Sequence, residues 1–199
     1  MKEVSSLEGI VETAIEVLAS VGFAQFSGLK VAKAHGIRQS HLTYYFPTRE
    51  HLLAAISEKL TEQYTQYVEN WCQEALKKPG DPIAHIIDNL VIDAITPPTS
   101  ILFPAIWEAA NQDSNMAEAL DTMYQSAQAQ MIELLGLNPT SPEAQPLWHL
   151  MRVLGVTIEG CTAIYGRHAA DSPEVKQLLI TIKQLMLPAF QKVLAAIDN

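Results

Sequence analysis

Six polar side chains, Arg38, Gln39, Ser40, His41, Thr43 and Tyr44, crowd into one short stretch of this 199-residue chain. They offer a guanidinium, a carboxamide, an imidazole and hydroxyls, with no strong acid or reactive nucleophile among them. Such a set recognises a partner by hydrogen bonding; it does not cleave or transfer groups. Lys30 and Lys33 precede it and Arg49 follows it, adding cations that can reach phosphates, and Ser27 stands just ahead. Catalytic chemistry is harder to assemble. The chain has no HExxH, no Glu-x-x-His pair for a di-iron site, no phosphate-binding Gly loop and no nucleophile elbow. Cys161 with His149 or His168 is the nearest approach to a nucleophile and base, and coincidence accounts for it. Cys72 and Cys161 sit in no CxxC or finger spacing, so both are read as core residues. No enzyme activity, cofactor or metal is expected.

The elements that must hold the polar stretch in place are helical. Ile10, Ala14, Val17, Leu18 and Val21 recur at the three- and four-residue steps of one helix face, and Gly22 stops that helix. Ser27 caps a short second helix with Val31 and Ala32 inward, and Gly36 closes it by turning into the left-handed region. A third helix follows, with Leu42, Tyr45 and Phe46 on its buried side and Pro47 at its end. Ile37 and Leu42 are placed to staple its start if Arg38 is the N-cap. Two short helices joined by a tight Gly turn, the second presenting polar residues outward, make a helix-turn-helix. The outward array of residues 38–44 is sized for base edges in a DNA major groove, and Lys30, Lys33 and Arg49 for its phosphates.

The continuation LTYYFPTREHLL resembles the signature of the TetR family of transcriptional regulators. Gly36, Ile37, Leu42, Tyr45, Phe46, Pro47, Thr48, Arg49, Glu50 and Leu52 match it, as do Gly22-Phe23 and Ser27 upstream. The resemblance covers about residues 8–53. It departs in three places: Arg38 stands where the family commonly has a capping Ser or Thr, Thr43 replaces a usual Tyr, and His35 replaces an apolar residue. His35 is read as a structural histidine. The resemblance implies an all-α protein of about nine helices. A helix-turn-helix DNA-binding domain would occupy residues 1–50, and a helical ligand-sensing and dimerisation domain residues 51–199. It implies a ligand-responsive regulator, most often a repressor. Such a protein binds a near-palindromic operator in double-stranded DNA as a homodimer and is released by a small-molecule effector. The competing reading is a TetR-like helical protein that acts through a protein partner without binding DNA.

The rest of the chain fits a sensing domain. No Gly or Pro interrupts residues 48–77, which predicts one helix roughly 45 Å long at 1.5 Å per residue. Asp81-Pro82, Ser141-Pro142 and Ser172-Pro173 repeat a cap-then-Pro start, and Pro97-Pro98 separates helices expected over 82–95 and 100–111. Further helices are expected over 114–135, 143–169 and 173–196, with Ala117, Leu120, Tyr124, Ala127, Met131 and Leu134 as the stripe of the first. Tyr64, Tyr67, Trp71, Phe103, Trp107, Met123, Tyr124 and Trp148 are candidates to line a ligand pocket, with Glu108, Asn111 and His149 as polar anchors. Gly160, Ala163 and Gly166, at three-residue steps, form a smooth strip suited to close helix approach between two copies.

Charge agrees with this division. The chain has 13 basic and 22 acidic residues, a formal net charge of -9, yet residues 27–59 hold five basic and two acidic ones. A locally cationic patch sits in a body that repels the same anion. With no uninterrupted apolar run of about 18 residues and no basic-then-apolar start, no membrane association is expected and the protein is placed in the cytoplasm.

Overall fold

The computed structural model describes residues 7–197. Among them are nine α-helices and no strand: α1 (Leu7–Val21), α2 (Gly28–His35), α3 (Gln39–Tyr45), α4 (Arg49–Lys77), α5 (Pro82–Ile95), α6 (Thr99–Ala110), α7 (Ser114–Leu134), α8 (Gln145–Tyr165) and α9 (Pro173–Ile197). The chain is all-α, as its periodicity requires. Two compact units divide it. The first runs to Gln63 and includes Ile101–Met123; the second comprises Tyr64–Ser100 and the chain from Tyr124 onward.

In the first unit, α1 buries Ile10, Val11, Ala14, Val17 and Leu18. α1 packs on α2, and Val31 and Ala32 of α2, Leu42 and Phe46 around α3, and Leu52, Leu53 and Ile56 of α4 are buried in the same unit. Ser27 is the N-cap of α2, its hydroxyl accepting from the Lys30 N–H at 3.4 Å. Gly36 closes α2 in the left-handed conformation, φ 79°, with its N–H on the Lys33 carbonyl. Gly22, at φ 72° and ψ 167°, has no such freedom around it: a Cβ there would lie 3.2 Å from Glu108 Oε2. Gly36→Ala is expected to cost about 1–2 kcal/mol from backbone handedness alone. Gly22→Ala adds a contact to a rarer backbone region and should cost more. Denaturant unfolding of the two variants gives the ordering, and equal costs would remove Glu108 from the account of Gly22.

The second unit is built around α5, α8 and α9. Ile83, Ile86, Ile87, Leu90 and Val91 of α5 pack with Leu147, Met151, Leu154 and Ile158 of α8 and with Val175, Ile182, Met186 and Phe190 of α9. Asp81 caps α5 through the Ile83 N–H at 2.9 Å, with Pro82 in the first turn, and Ser172 caps α9 through the Val175 N–H at 3.3 Å. The third such start differs. Ser141-Pro142 opens a 3-10 turn and makes no side-chain cap, and α8 begins only at Gln145. Pro188 is accommodated inside α9. By length and composition α9 could cross a bilayer, but only 17% of its most apolar stretch is buried, and that buried part belongs to the core.

α7 divides its stripe. Met116 and Met123 are buried in the first unit, and Ala127, Met131 and Ile132 in the second. Ala117 and Leu120, expected on one continuous stripe, are only partly covered.

Candidate nucleic-acid interface and ligand cavity

α3 is short, so its two faces are set by few residues. Leu42 is 3% exposed and wedges over Gly28, where a Cβ would meet Leu42 Cδ2 at 3.1 Å. Phe46, one turn on, is also buried. Glycine at position 28 is what lets α3 lie this close to the start of α2. Arg38, Gln39, Ser40, Thr43 and Tyr44 are exposed, with Tyr44 at 79%, and His41 is half-buried. Tyr45, expected in the core, is 41% exposed; it packs its ring edge-on to Tyr44 and tilted against His41. At 100° per residue, Leu42 and Phe46 point inward and Tyr45 falls at the border.

Arg38 occupies the N-cap of α3 but makes no side-chain cap, so its guanidinium remains available. The Thr43 hydroxyl donates to the Gln39 carbonyl at 2.9 Å and keeps its lone pairs for a partner. His35 is structural: its Nδ1 lies 2.7 Å from Thr13 Oγ1, tying α2 to α1.

The cations behave differently from one another. Lys33 is exposed on α2, and Lys30 Nζ donates to Gln25 Oε1 at 3.2 Å. Lys59 Nζ donates to Glu8 Oε1 at 2.6 Å and to Glu62, and this contact holds the Glu8 carboxyl below its ordinary value. Arg49 faces inward. Its guanidinium donates to the Phe23 carbonyl at 2.7 Å and lies 4.1 Å from the centre of the Phe23 ring. The Phe23 N–H in turn donates to Glu108 Oε2 at 3.1 Å. Two charged side chains, 26 and 85 positions away, thus clamp one residue of the turn between α1 and α2. Glu108, expected as a ligand anchor, is part of this clamp. Nothing local in the sequence announces it.

The candidate pocket residues are divided between the two units. Phe103, Trp107 and Met123 belong to the first unit, where Phe103 and Trp107 meet edge-on. The other five lie in the second unit. Tyr67 is 55% exposed and stacks with Trp71, while Trp148 Nε1 donates to the Pro139 carbonyl at 2.9 Å. His149 is exposed. Only Tyr64 and Tyr124 line a cavity of the second unit, about 40 Å³ in volume, with Leu90, Met131, Met151, Gly155 and Glu159 among its other walls. Glu159 was not among the sequence candidates. Burial pushes its carboxyl up to about 7, against the opposing hydrogen bond from Tyr124. The same burial, with Asp93 and Glu159 nearby, pushes the Tyr64 phenol up. The sequence does carry a signal for Glu159: it stands four residues after Gly155, beside the largely apolar inward face of α8.

Of the small-residue strip, Gly160 opens onto free space and Ala163 is exposed. Gly166 lies past the end of α8, where a Cβ would fall 2.5 Å from the Thr162 carbonyl oxygen. Its own backbone therefore demands glycine. Both cysteines are buried, and burial pushes Cys72 up to about 11, away from thiolate chemistry.

Residues 10–56 match the family described as "Bacterial regulatory proteins, tetR family". Among curated proteins none matches significantly. Solved structures do. A candidate transcriptional regulator from Streptomyces coelicolor A3(2) is 18% identical, with 90% of this chain and 96% of that one covered at a TM-score of 0.64. A candidate TetR-family transcriptional regulator from Mesorhizobium loti MAFF303099 is 14% identical, covering 94% of both chains at 0.66. GusR of Salmonella enterica is 19% identical, covering 89% and 93% at 0.60. At these identities the likeness is one of fold.

Proposed function

Because residues 10–56 are the tetR-family module of bacterial regulatory proteins, we propose that the chain is a ligand-responsive transcriptional repressor. It would act in the cytoplasm as a homodimer on a near-palindromic operator. The observation that carries this is α3 itself: a buried Leu42 wedge beneath an outward row of Arg38, Gln39, Ser40, His41, Thr43 and Tyr44. Arg38, at the helix start, suits a bidentate contact with guanine, and Ser27, Lys30 and Lys33 suit the flanking phosphates.

Dimerisation is supported by an apolar face with no cover. Val153, Val156 and Ile164 of α8 are 55%, 75% and 68% exposed around the open Gly160, and Ile180 and Leu185 of α9 are 46% and 70% exposed. So much aliphatic surface on two packed helices favours burial against a second copy. A two-fold dimer would present two copies of α3 about one DNA turn apart, roughly 34–36 Å. α4, α6 and α7 each contribute residues to both units, so a change imposed on the second unit is covalently continuous with the first. A ligand shifts that equilibrium only as far as it binds the two states unequally.

The test is retention of genomic fragments by the purified chain, followed by footprinting of the retained site. A symmetric footprint is expected, with affinity falling at least about a hundredfold between 50 and 200 mM salt as phosphate contacts release counterions. A chain that retains no DNA at low salt, yet captures a protein partner through α3, would favour the competing reading.

A further inference from the structure

The cavity lined by Tyr64 and Tyr124 has one carboxyl on its wall, Glu159, and packing alone gives it no role. Tyr124 OH donates to Glu159 Oε1 at 2.5 Å, and the surrounding walls include Leu90, Met131, Met151 and Leu154. A carboxylate in such surroundings is costly unless a counter-charge joins it. Glu159 shares the cavity wall with Tyr124 and Gln128 of α7 and Tyr64 of α4; Tyr64 also feels the charge of Asp93 on α5, and Cys161 of α8 that of Glu159. None of these is a cation.

We propose that this cavity holds the ammonium head of a small apolar amine, with Glu159 as its counter-ion and the rings of Tyr64 and Tyr124 as walls. The inference deepens the regulator reading, on which any role of the amine as inducer rests. An anionic ligand would meet the Glu159 carboxyl. A neutral one would leave the half-buried carboxyl without a counter-charge. Tyrosine faces attract a cation through their ring quadrupole. A volume of about 40 Å³ suits an ammonium-sized head, well below the roughly 150 Å³ that holds benzene. The apolar tail is accommodated by Met131 and Met151, whose unbranched side chains repack readily. Gly155 now has a reason: a Cβ there would touch only Gln128 Nε2 at 3.8 Å, so the residue leaves open space at the cavity wall.

The proton linkage has a definite sign. In the empty protein, burial raises the Glu159 pKa to about 7, so rising pH through that value ionises a poorly solvated group and weakens the fold. A bound ammonium requires the ionised form. Amine affinity therefore increases from pH 6 to 8, with proton release on binding.

Calorimetry on the full-length protein, with n-hexylamine, 1-hexanol and hexanoate as probes, tests this. Hexylamine is expected to bind at least tenfold more tightly than either of the others. Glu159→Gln should remove that advantage while leaving hexanol unchanged. Tyr124→Phe, which keeps the carboxyl but removes its donor, should move the pH profile for hexylamine upward. This second variant decides the matter if the first does not fold. Equal binding of amine and alcohol, no amine binding, or a pH profile indifferent to Tyr124→Phe overturns the proposal. Amine binding through Glu159 without release of DNA would keep the site and remove the inducer role. DNA retention by a protein that binds no amine would do the reverse.

Discussion

Leu42→Ala is expected to destabilise the first unit by about 2–5 kcal/mol and to abolish operator binding, the usual range for truncating a fully buried leucine. The residue is 3% exposed and fills the space above Gly28, so the cavity left behind has close-packed walls that cannot collapse cheaply. Stabilities of whole domains are only about 5–15 kcal/mol, so this one side chain carries a large share of what keeps α3 on α2. Denaturant unfolding with operator titration on the same samples checks it. The informative partner is Tyr44→Ala, two residues on and 79% exposed. It should change stability by less than about 0.5 kcal/mol, the norm for a free surface position. It should still weaken operator binding. If both variants lose stability alike, Tyr44 is packed and the outward face of α3 is smaller than argued. If neither loses it, Leu42 is not the wedge.

That contrast also marks what the sequence made legible. Gly36 closing α2, and Ser27 ahead of Val31 and Ala32, are local relations: each is set by helix periodicity or by a backbone conformation that one residue type favours. These local relations define the helix-turn-helix. Tyr45 was misplaced because a helix of seven residues has too few turns for a stripe to average out, and one residue at the border tips either way. The long-range features were not readable at all. Phe23 and Glu108 are 85 positions apart, and no composition or spacing pairs them. Of the aromatic candidates only Tyr64 and Tyr124 line the Glu159 cavity, for a related reason: aromatics serve any core, and here they serve two units and the surface as well. What distinguishes the cavity is a polar residue in apolar company, Glu159 behind Gly155, a rarer signal than a tyrosine.

The second large effect separates two arginines that look alike in sequence. Arg38 caps nothing, so Arg38→Ala should leave stability within about 0.5 kcal/mol of the parent. It should lose roughly 1–3 kcal/mol of discrimination at one base pair of the operator, about five- to 150-fold. Arg49 is held on Phe23 by a hydrogen bond and by its face over the ring. Its removal should cost about 1–2 kcal/mol of stability, the sum of a charge-assisted bond and an exposed cation–π contact discounted for solvent. Operator affinity should then fall by a similar factor on every sequence, because the turn that positions α2 has loosened. The salt dependence decides between this and direct phosphate contact. A clamp leaves the slope of log affinity against log salt unchanged, whereas loss of one phosphate contact lowers it by about 0.9. Arg49→Lys sharpens the test: it keeps the charge for a phosphate but gives up the planar stack and fork, so a clamp is not rescued by it. A variant that recovers full affinity with lysine, or that loses about 0.9 from the slope as alanine, would return Arg49 to the phosphates.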